Sequence, residues 1–309
     1  MKSIITIALL ISLSIMPFIV IYIALYSAIR PSWLKENPLT KELRRPPGHS
    51  LKVRIDDAHS EIVLNILLTY ASFQFPFVIL GIFSLMQLPS TFFTVLILFS
   101  FSWIACVWFA HKIYVLFKQM SQLKLGYECE LAVGQELDQL MMQGYRVFHD
   151  VQADGFNIDH LAVGSNGVFA IETKGRRRPV TNIDKDKRYK VNCYSTHLEF
   201  PTWKESDVFN QAERQANWVS KWLSDASGMD VRAVPVIVLP GWFLERKERT
   251  SIMCLAGKQV CWEIPKVKSQ LLDDRQIKAI VHQVAQSSTT DDFGRARELK
   301  HREQAKLIK

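Results

Sequence analysis

Two adjacent stretches decide the reading: Asn157-Ile158-Asp159-His160-Leu161-Ala162-Val163 and, past a short turn at Ser165-Asn166, Gly167-Val168-Phe169-Ala170-Ile171-Glu172-Thr173-Lys174. Both are rich in β-branched and aromatic residues, and the turn residues between them predict an antiparallel hairpin. In the second strand Glu172 and Lys174 lie two apart and point to the same face. The hairpin brings Asp159 alongside them, on the face it shares with Leu161 and Val163. His160 points the other way and reads as a packed or hydrogen-bonded core histidine. Two carboxylates and an ammonium on an otherwise apolar sheet need a reason, because removing each from water costs several kcal/mol unless it is paired or metal-bound.

Carboxylates one strand apart suit Mg²⁺, a hard cation that takes oxygen ligands and keeps several waters, with Mn²⁺ as the alternative ion. Such an ion activates water and neutralises the charge that develops on a phosphodiester under attack. Lys174 fits beside that water, where it holds the nucleophile and stabilises the transition state. The bland alternative is a buried salt bridge kept as a feature of the fold. Glu130 adds a fourth group: at 100° per residue it lies on the shoulder of the apolar stripe Cys129, Val133, Leu137, Leu140 and Met141. It reads either as a snorkelling or capping glutamate or as a member of the site.

Around this hairpin the chain alternates between helix and strand. A helix is expected at 125–142, ended by Gly144, with strands at 145–151, 157–163, 168–174 and 188–194. A second amphipathic helix at 207–223 stops near Gly228. An apolar central strand follows at 231–239, then edge strands at 251–255 and 259–264, and a closing helix near 274–286.

These ordered features resemble the PD-(D/E)xK nuclease superfamily, and their surroundings resemble its NERD (nuclease-related domain) branch. The resemblance is carried by Asp159 with Glu172-x-Lys174, by Gly126 and Glu130, by Gly144-Tyr145-x-Val147 leading to Asp150-Val151, and by Gln211-Ala212, over roughly 122–240. It implies an α/β, restriction-endonuclease-like core (helix, mixed sheet, helix). It further implies Asp159 and Glu172 as metal ligands with the Thr173 carbonyl as a third, Lys174 as the residue that positions water, and Glu130 and Gln211 as supporting site residues. DNA is the expected substrate rather than RNA. The chain departs from the superfamily pattern in lacking a proline before Asp159 and in following Lys174 with Gly175-Arg176-Arg177-Arg178, departures that bear on substrate preference more than on fold. Those three arginines can neutralise nucleic-acid phosphates or rest on anionic lipid.

The N-terminal part of the chain is of another kind. The whole has 309 residues, with 38 Lys and Arg against 30 Asp and Glu, yet 3–29 and 62–111 contain no charged residue. Both runs exceed the roughly 20 residues that cross a bilayer. Gln87-Leu88-Pro89-Ser90 breaks the second run, so helices are expected near 4–27, 62–85 and 91–111, a three-helix transmembrane region in 1–117. The first run is too long for the core of a signal peptide. Basic residues in the 30–61 loop and after the third crossing place both flanks inside by the positive-inside rule, leaving the N-terminus outside. The expected molecule is a multi-pass protein of the plasma (inner) membrane, with a cytoplasmic nuclease-like domain at 118–286 and a polar tail at 287–309. Its expected partners are nucleic acid and the lipid bilayer, and no protein partner is inferable. Five cysteines without a CxxC pair suit a reducing compartment. Two other readings compete with a nuclease: a nuclease-like module that binds nucleic acid or a protein without cutting, and a transport protein. The absence of ionisable residues in the crossings argues against transport.

Overall fold

The described residues divide into two units built on opposite principles. The structure is a computed structural model that describes residues 44–180 and 187–288 and the isolated positions Met16, Val20 and Ile23. The expected crossing at 4–27 and the tail beyond 288 lie outside the described residues, save for those three positions. Among the described residues, 55–121 form one unit, and 44–54 together with 122–288 form the other.

Two long helices run through the first unit: α1 (His49–Leu85) and α2 (Phe92–Met142). Both are long and apolar enough to cross a membrane, with mean hydropathy of 1.9 and 2.2 in their most apolar windows. The break expected at 87–90 separates them, and Gln87 there takes a left-handed φ of 54°. Polar groups within α1 are satisfied locally. Asn65 donates to the Glu61 carbonyl at 2.7 Å and Thr69 to that of Asn65 at 2.8 Å. Pro76 lacks the N–H that would bond the Ser72 carbonyl four residues back, and the Ser102 hydroxyl on α2 donates to that carbonyl instead, at 2.5 Å. Asn65 and Thr69 thus bond to their own helix and Ser102 to its neighbour, the ordinary way polar groups are satisfied in apolar helices, which weakens their appeal as a transport path.

Both helices extend past the sequence-based bounds. Residues 49–61, expected as loop, are helical because Ile55, Ala58 and Ile62 fall on one buried stripe that the intervening charges mask. The helix expected at 125–142 is the C-terminal part of α2, since no proline interrupts the chain between Pro89 and Pro179.

The second unit is a layered α/β structure. Its larger sheet has the order β1-β2-β3-β7-β9, where β1 is Arg146–Gln152, β2 Asn157–Gly164, β3 Gly167–Thr173, β7 Ala233–Leu239 and β9 Met253–Ala256. The first three strands form an antiparallel meander, while β7 and β9 add in parallel. One face packs Phe169, Ile171 and Val236 against Val133, Leu137 and Leu140 of α2. The other packs Leu161, Val163 and Ala170 against α3 (Asp207–Ser227) and α5 (Asp274–Ser287). Gly228 ends α3 with a φ of 67°, and its N–H donates to the Ser224 carbonyl, as a left-handed helix cap requires.

A smaller sheet, β6-β5-β4-β8, covers Ile237 and Leu239. Its strands are β4 (Lys190–Cys193), β5 (Leu198–Glu199), β6 (Lys204–Glu205) and β8 (Phe243–Arg246). All but β4 are too short or too polar to show as periodicity. The edge strand expected at 259–264 is instead helical, with α4 at Val260–Glu263. The Gln259 side chain accepts the Ala256 N–H at 2.9 Å and starts the turn, and Val260, Cys261 and Ile264 then bury at helical spacing.

The α2 packing seam gives a direct check. Leu137→Ala should cost about 2–5 kcal/mol in chemical denaturation of the detergent-solubilised chain. Leu131→Ala, at a position 36% exposed on the same helix, should cost less than about 0.5 kcal/mol.

Candidate active site

The β2–β3 register sets the site. Its last ladder pair is His160↔Ile171, so the next step brings Asp159 level with Glu172, where the ladder gives way to side chains. The Thr173 N–H donates to Asp159 Oδ2 at 2.7 Å, in place of a strand carbonyl. β3 continues one residue further along β7, because the Lys174 N–H donates to the Val238 carbonyl at 2.9 Å. That bond fixes the backbone from which the Lys174 side chain departs.

Glu172 is only 3% exposed, and every group needed to keep it so is in place. Lys174 Nζ lies 2.5 Å from its Oε1. Gln211 bridges the pair: its Nε2 donates to Glu172 Oε1 at 2.8 Å, and its Oε1 accepts from Lys174 Nζ at 2.8 Å. Gln215, one turn further along α3, donates to Glu172 Oε2 at 2.5 Å and to the Asn157 carbonyl at 3.1 Å. The sequence reading missed Gln215, although the Gln211-x-x-x-Gln215 spacing puts both amides on one helical face.

Glu130 reaches the same cleft from α2, where the Gly48 N–H donates to it. Burial, and then the nearby Asp150 and Glu172 carboxylates, push its pKa up to about 8. Burial and then the Glu172 and Glu130 charges likewise hold Asp159 well above the usual carboxylate range. Asp150 is buried with a left-handed φ of 50° and accepts from Arg45 Nη1 at 3.1 Å, Ser50 Oγ at 2.8 Å and Asn157 Nδ2 at 3.0 Å. Glu130, Asp159, Glu172, Lys174 and Gln211, all singled out from the sequence, therefore line one cleft of about 630 Å³.

The arginines divide. Arg176 and Arg177 line the cleft, but Arg176 forks onto Glu205, with Nε donating to Oε2 at 2.9 Å. Arg178 lies with its guanidinium 5.9 Å from the centre of the Trp242 ring. His160 is fully buried on the opposite face, its Nδ1 2.8 Å from Nδ1 of His149. Burial lowers the pKa of His149 to about 4 and that of His160 well below its usual value, so both rings are neutral near pH 7 and one donates to the other.

Residues 125–240 match the family model of NERD, the nuclease-related domain. No curated protein and no solved structure matches the chain. The NERD segment contains Glu130, Asp159, Glu172, Lys174, Gln211 and Gln215. Arg45, Gly48 and Ser50, which reach the same network, precede it.

The donor set fits a hard divalent cation. The side chains that converge on the cleft offer carboxylate oxygens, and two of the three carboxylates are held above their ordinary range by mutual repulsion as well as burial. That signals more negative charge than Lys174 offsets. The Thr173 hydroxyl, also at the cleft, is buried without a partner. Among the described residues no three His, Cys, Asp or Glu side chains enclose an ion by themselves, so an ion here would keep water on several positions, as Mg²⁺ does.

The raised pKa of Glu130 predicts a pH dependence of stability. Between the ordinary value of 4.5 and about 8 the folded state binds more protons than the unfolded state, so stability is fully present below 4.5 and is lost as pH rises through about 8. His149 and His160, with their pKa values lowered, contribute in the opposite sense, mainly below about 6.5. From pH 6.5 to 8, without divalent cations, the chain should lose at least ~1 kcal/mol. Glu130→Gln should flatten that slope, as read by melting temperature against pH.

Proposed function

We propose that this chain is a membrane-anchored, metal-dependent nuclease that hydrolyses phosphodiester bonds, in DNA in preference to RNA. The observation that carries the reading is the convergence of Asp159, Glu172, Lys174 and Gln211 in one cleft within the NERD-matching segment. Asp159 and Glu172 would hold Mg²⁺, with the Thr173 carbonyl as a further ligand. The ion, when bound, supplies charge neutralisation and activation of water.

The remaining roles fall to the chain's own groups. Gln211 and Gln215 keep the Glu172 carboxylate oriented. Lys174 carries a positive charge on the cleft wall, where it holds the attacking water and stabilises the negative charge that builds on the phosphate. Glu130, protonated near neutral pH while the cleft holds no cation, keeps the empty site from carrying three ionised carboxylates. The anchor is supplied by α1 and α2, whose exposed Val63 and Phe73 on the first and Trp103 on the second suit lipid better than water. In this reading the N-terminus is outside, the domain is cytoplasmic, and residues 118–286 work as the nuclease unit.

A second reading, a module that binds without cutting, draws on the same Glu172–Lys174 pair, since a closed ion pair with both carboxylate oxygens engaged is also what a retired site would retain. Cleavage separates the two. The detergent-solubilised full chain should cut linear, circular or single-stranded DNA when Mg²⁺ is supplied. Lys174→Ala and Glu172→Ala should each lower the rate by about 10²–10⁴-fold when assayed well below the melting temperature of each variant, which loss of a buried partner lowers. Wild-type protein inert on every DNA and RNA, or Lys174→Ala as active as wild type, overturns the nuclease reading.

A further inference from the structure

Residues 44–54 precede the NERD-matching segment by some 70 positions and, read as sequence, are a basic loop whose charges orient the membrane helices. The structure uses them differently. Arg45 Nη1 pairs with Asp150 Oδ2 at 3.1 Å, and the two side chains are 6% and 4% exposed. Breaking such a buried pair is costly, so the contact fixes the segment in place. Ser50 Oγ donates to the same carboxylate at 2.8 Å and is bonded at 2.7 Å by Asn157 Nδ2, at the start of the strand that carries Asp159. The Arg45 N–H donates to the Ser288 carbonyl at 3.1 Å, and the Arg44 guanidinium stands 5.7 Å from the centre of the Phe148 ring.

Glycines mark how closely the segment is fitted. At Gly48, with φ of 71°, a Cβ would stand 2.6 Å from a Tyr127 ring carbon, and at Gly134 a Cβ would stand 2.5 Å from Cγ of Pro47. The fit lets the Gly48 N–H reach Glu130. It also places the first turns of α1 beside the cleft, where Leu51 and Arg54, three apart and on one face, both line it.

The cleft's charge balance gives Arg54 a purpose. Lys174 is committed to Glu172 and Arg176 to Glu205. Arg54 is exposed, lines the carboxylate cleft, and makes no ion pair or side-chain hydrogen bond with any described residue. A guanidinium at the mouth of a carboxylate-lined site is matched by a phosphate, which it can bind bidentately, and an anionic substrate needs such a group to approach three carboxylates.

The geometry points to Arg54 as a substrate-binding residue that takes a backbone phosphate of the nucleic acid next to the scissile position, with Arg45 as the positioning residue that clamps its segment onto the domain. This inference rests on the nuclease reading and extends it to a segment that the family match does not include. The phosphate contact is independent of base identity, so it supplies affinity rather than sequence preference.

The test uses the full chain in detergent micelles and a fluorescein-labelled DNA duplex, with binding followed by anisotropy over a series of KCl concentrations in the Lys174→Ala background. Loss of one phosphate contact should lower the slope of log affinity against log salt by about 0.9. Arg54→Ala should show that loss together with roughly three- to tenfold weaker binding. Arg54→Lys, which keeps the charge, should restore the slope. With Lys174 intact, Arg54→Ala should raise KM for cleavage more than it lowers kcat. Arg45→Met should weaken binding similarly, and adding Arg54→Ala to it should weaken binding little further, because the two act as one unit. Should Arg45→Met unfold the chain, the Arg54 variants decide alone, since an exposed side chain can be removed without loss of the fold. Wild-type cleavage accompanied by an unchanged salt slope in Arg54→Ala overturns this inference and leaves the nuclease reading intact. A wild-type chain that neither binds nor cuts nucleic acid overturns both.

Discussion

A carboxylate that is 3% exposed at the end of an apolar strand is the constraint around which this molecule is arranged. Left alone, Glu172 would cost the fold several kcal/mol. Its compensation comes from three directions: Lys174 from the same strand, Gln211 and Gln215 from α3, and the parallel pairing of β3 with β7, which extends the strand far enough to present Lys174. The demand is local, but meeting it requires α3 to lie across the sheet in one register, since a rotation of the helix by one residue would carry both glutamines away from the carboxylate. The apolar seam formed by Ala216, Val219 and Leu223 fixes that rotation.

The compensation is incomplete, and its incompleteness is what has chemical meaning. Lys174 offsets one negative charge, while Glu130, Asp159 and Glu172 bring three carboxyl groups. The surplus appears as raised pKa values at Glu130 and Asp159, each raised first by burial and then by its neighbours. Structural ion pairs are normally balanced, so a cleft that holds an excess of oxygen donors and one ammonium is better suited to receive a cation and an anionic substrate than to stabilise a fold.

Much of this was legible in the sequence because the informative residues lie on regular elements. Asp159, Glu172 and Lys174 sit on two strands joined by a short turn, where period-two alternation states their faces directly. Glu130 and Gln211 lie on helices whose apolar stripes are clear. What was not legible depends on contacts distant in sequence. Gln215 shows its value only once α3 is laid on β3, and the ion pair between Arg45 and Asp150 spans 105 positions. The charges at 44–61 hid a helix by breaking up its apolar stripe, and those same charges suited a membrane-flanking loop equally well. Of the smaller sheet only β4 was legible, because β5 and β6 are strands of two residues that carry no periodicity and β8 ends in Glu245-Arg246, and 259–264 became helical because one glutamine side chain starts a turn.

The central claim is that the cleft carries unbalanced carboxylates poised for a divalent cation, and its most direct test is calorimetric titration of Mg²⁺ into the detergent-solubilised chain near pH 7, repeated in buffers of different ionisation enthalpy. With the pKa of Glu130 near 8 and that of Asp159 raised, binding should release protons, so the observed heat should change with the buffer, and Glu130→Gln should reduce that change. Heats that do not depend on the buffer, or an absence of Mg²⁺ binding, would contradict the account.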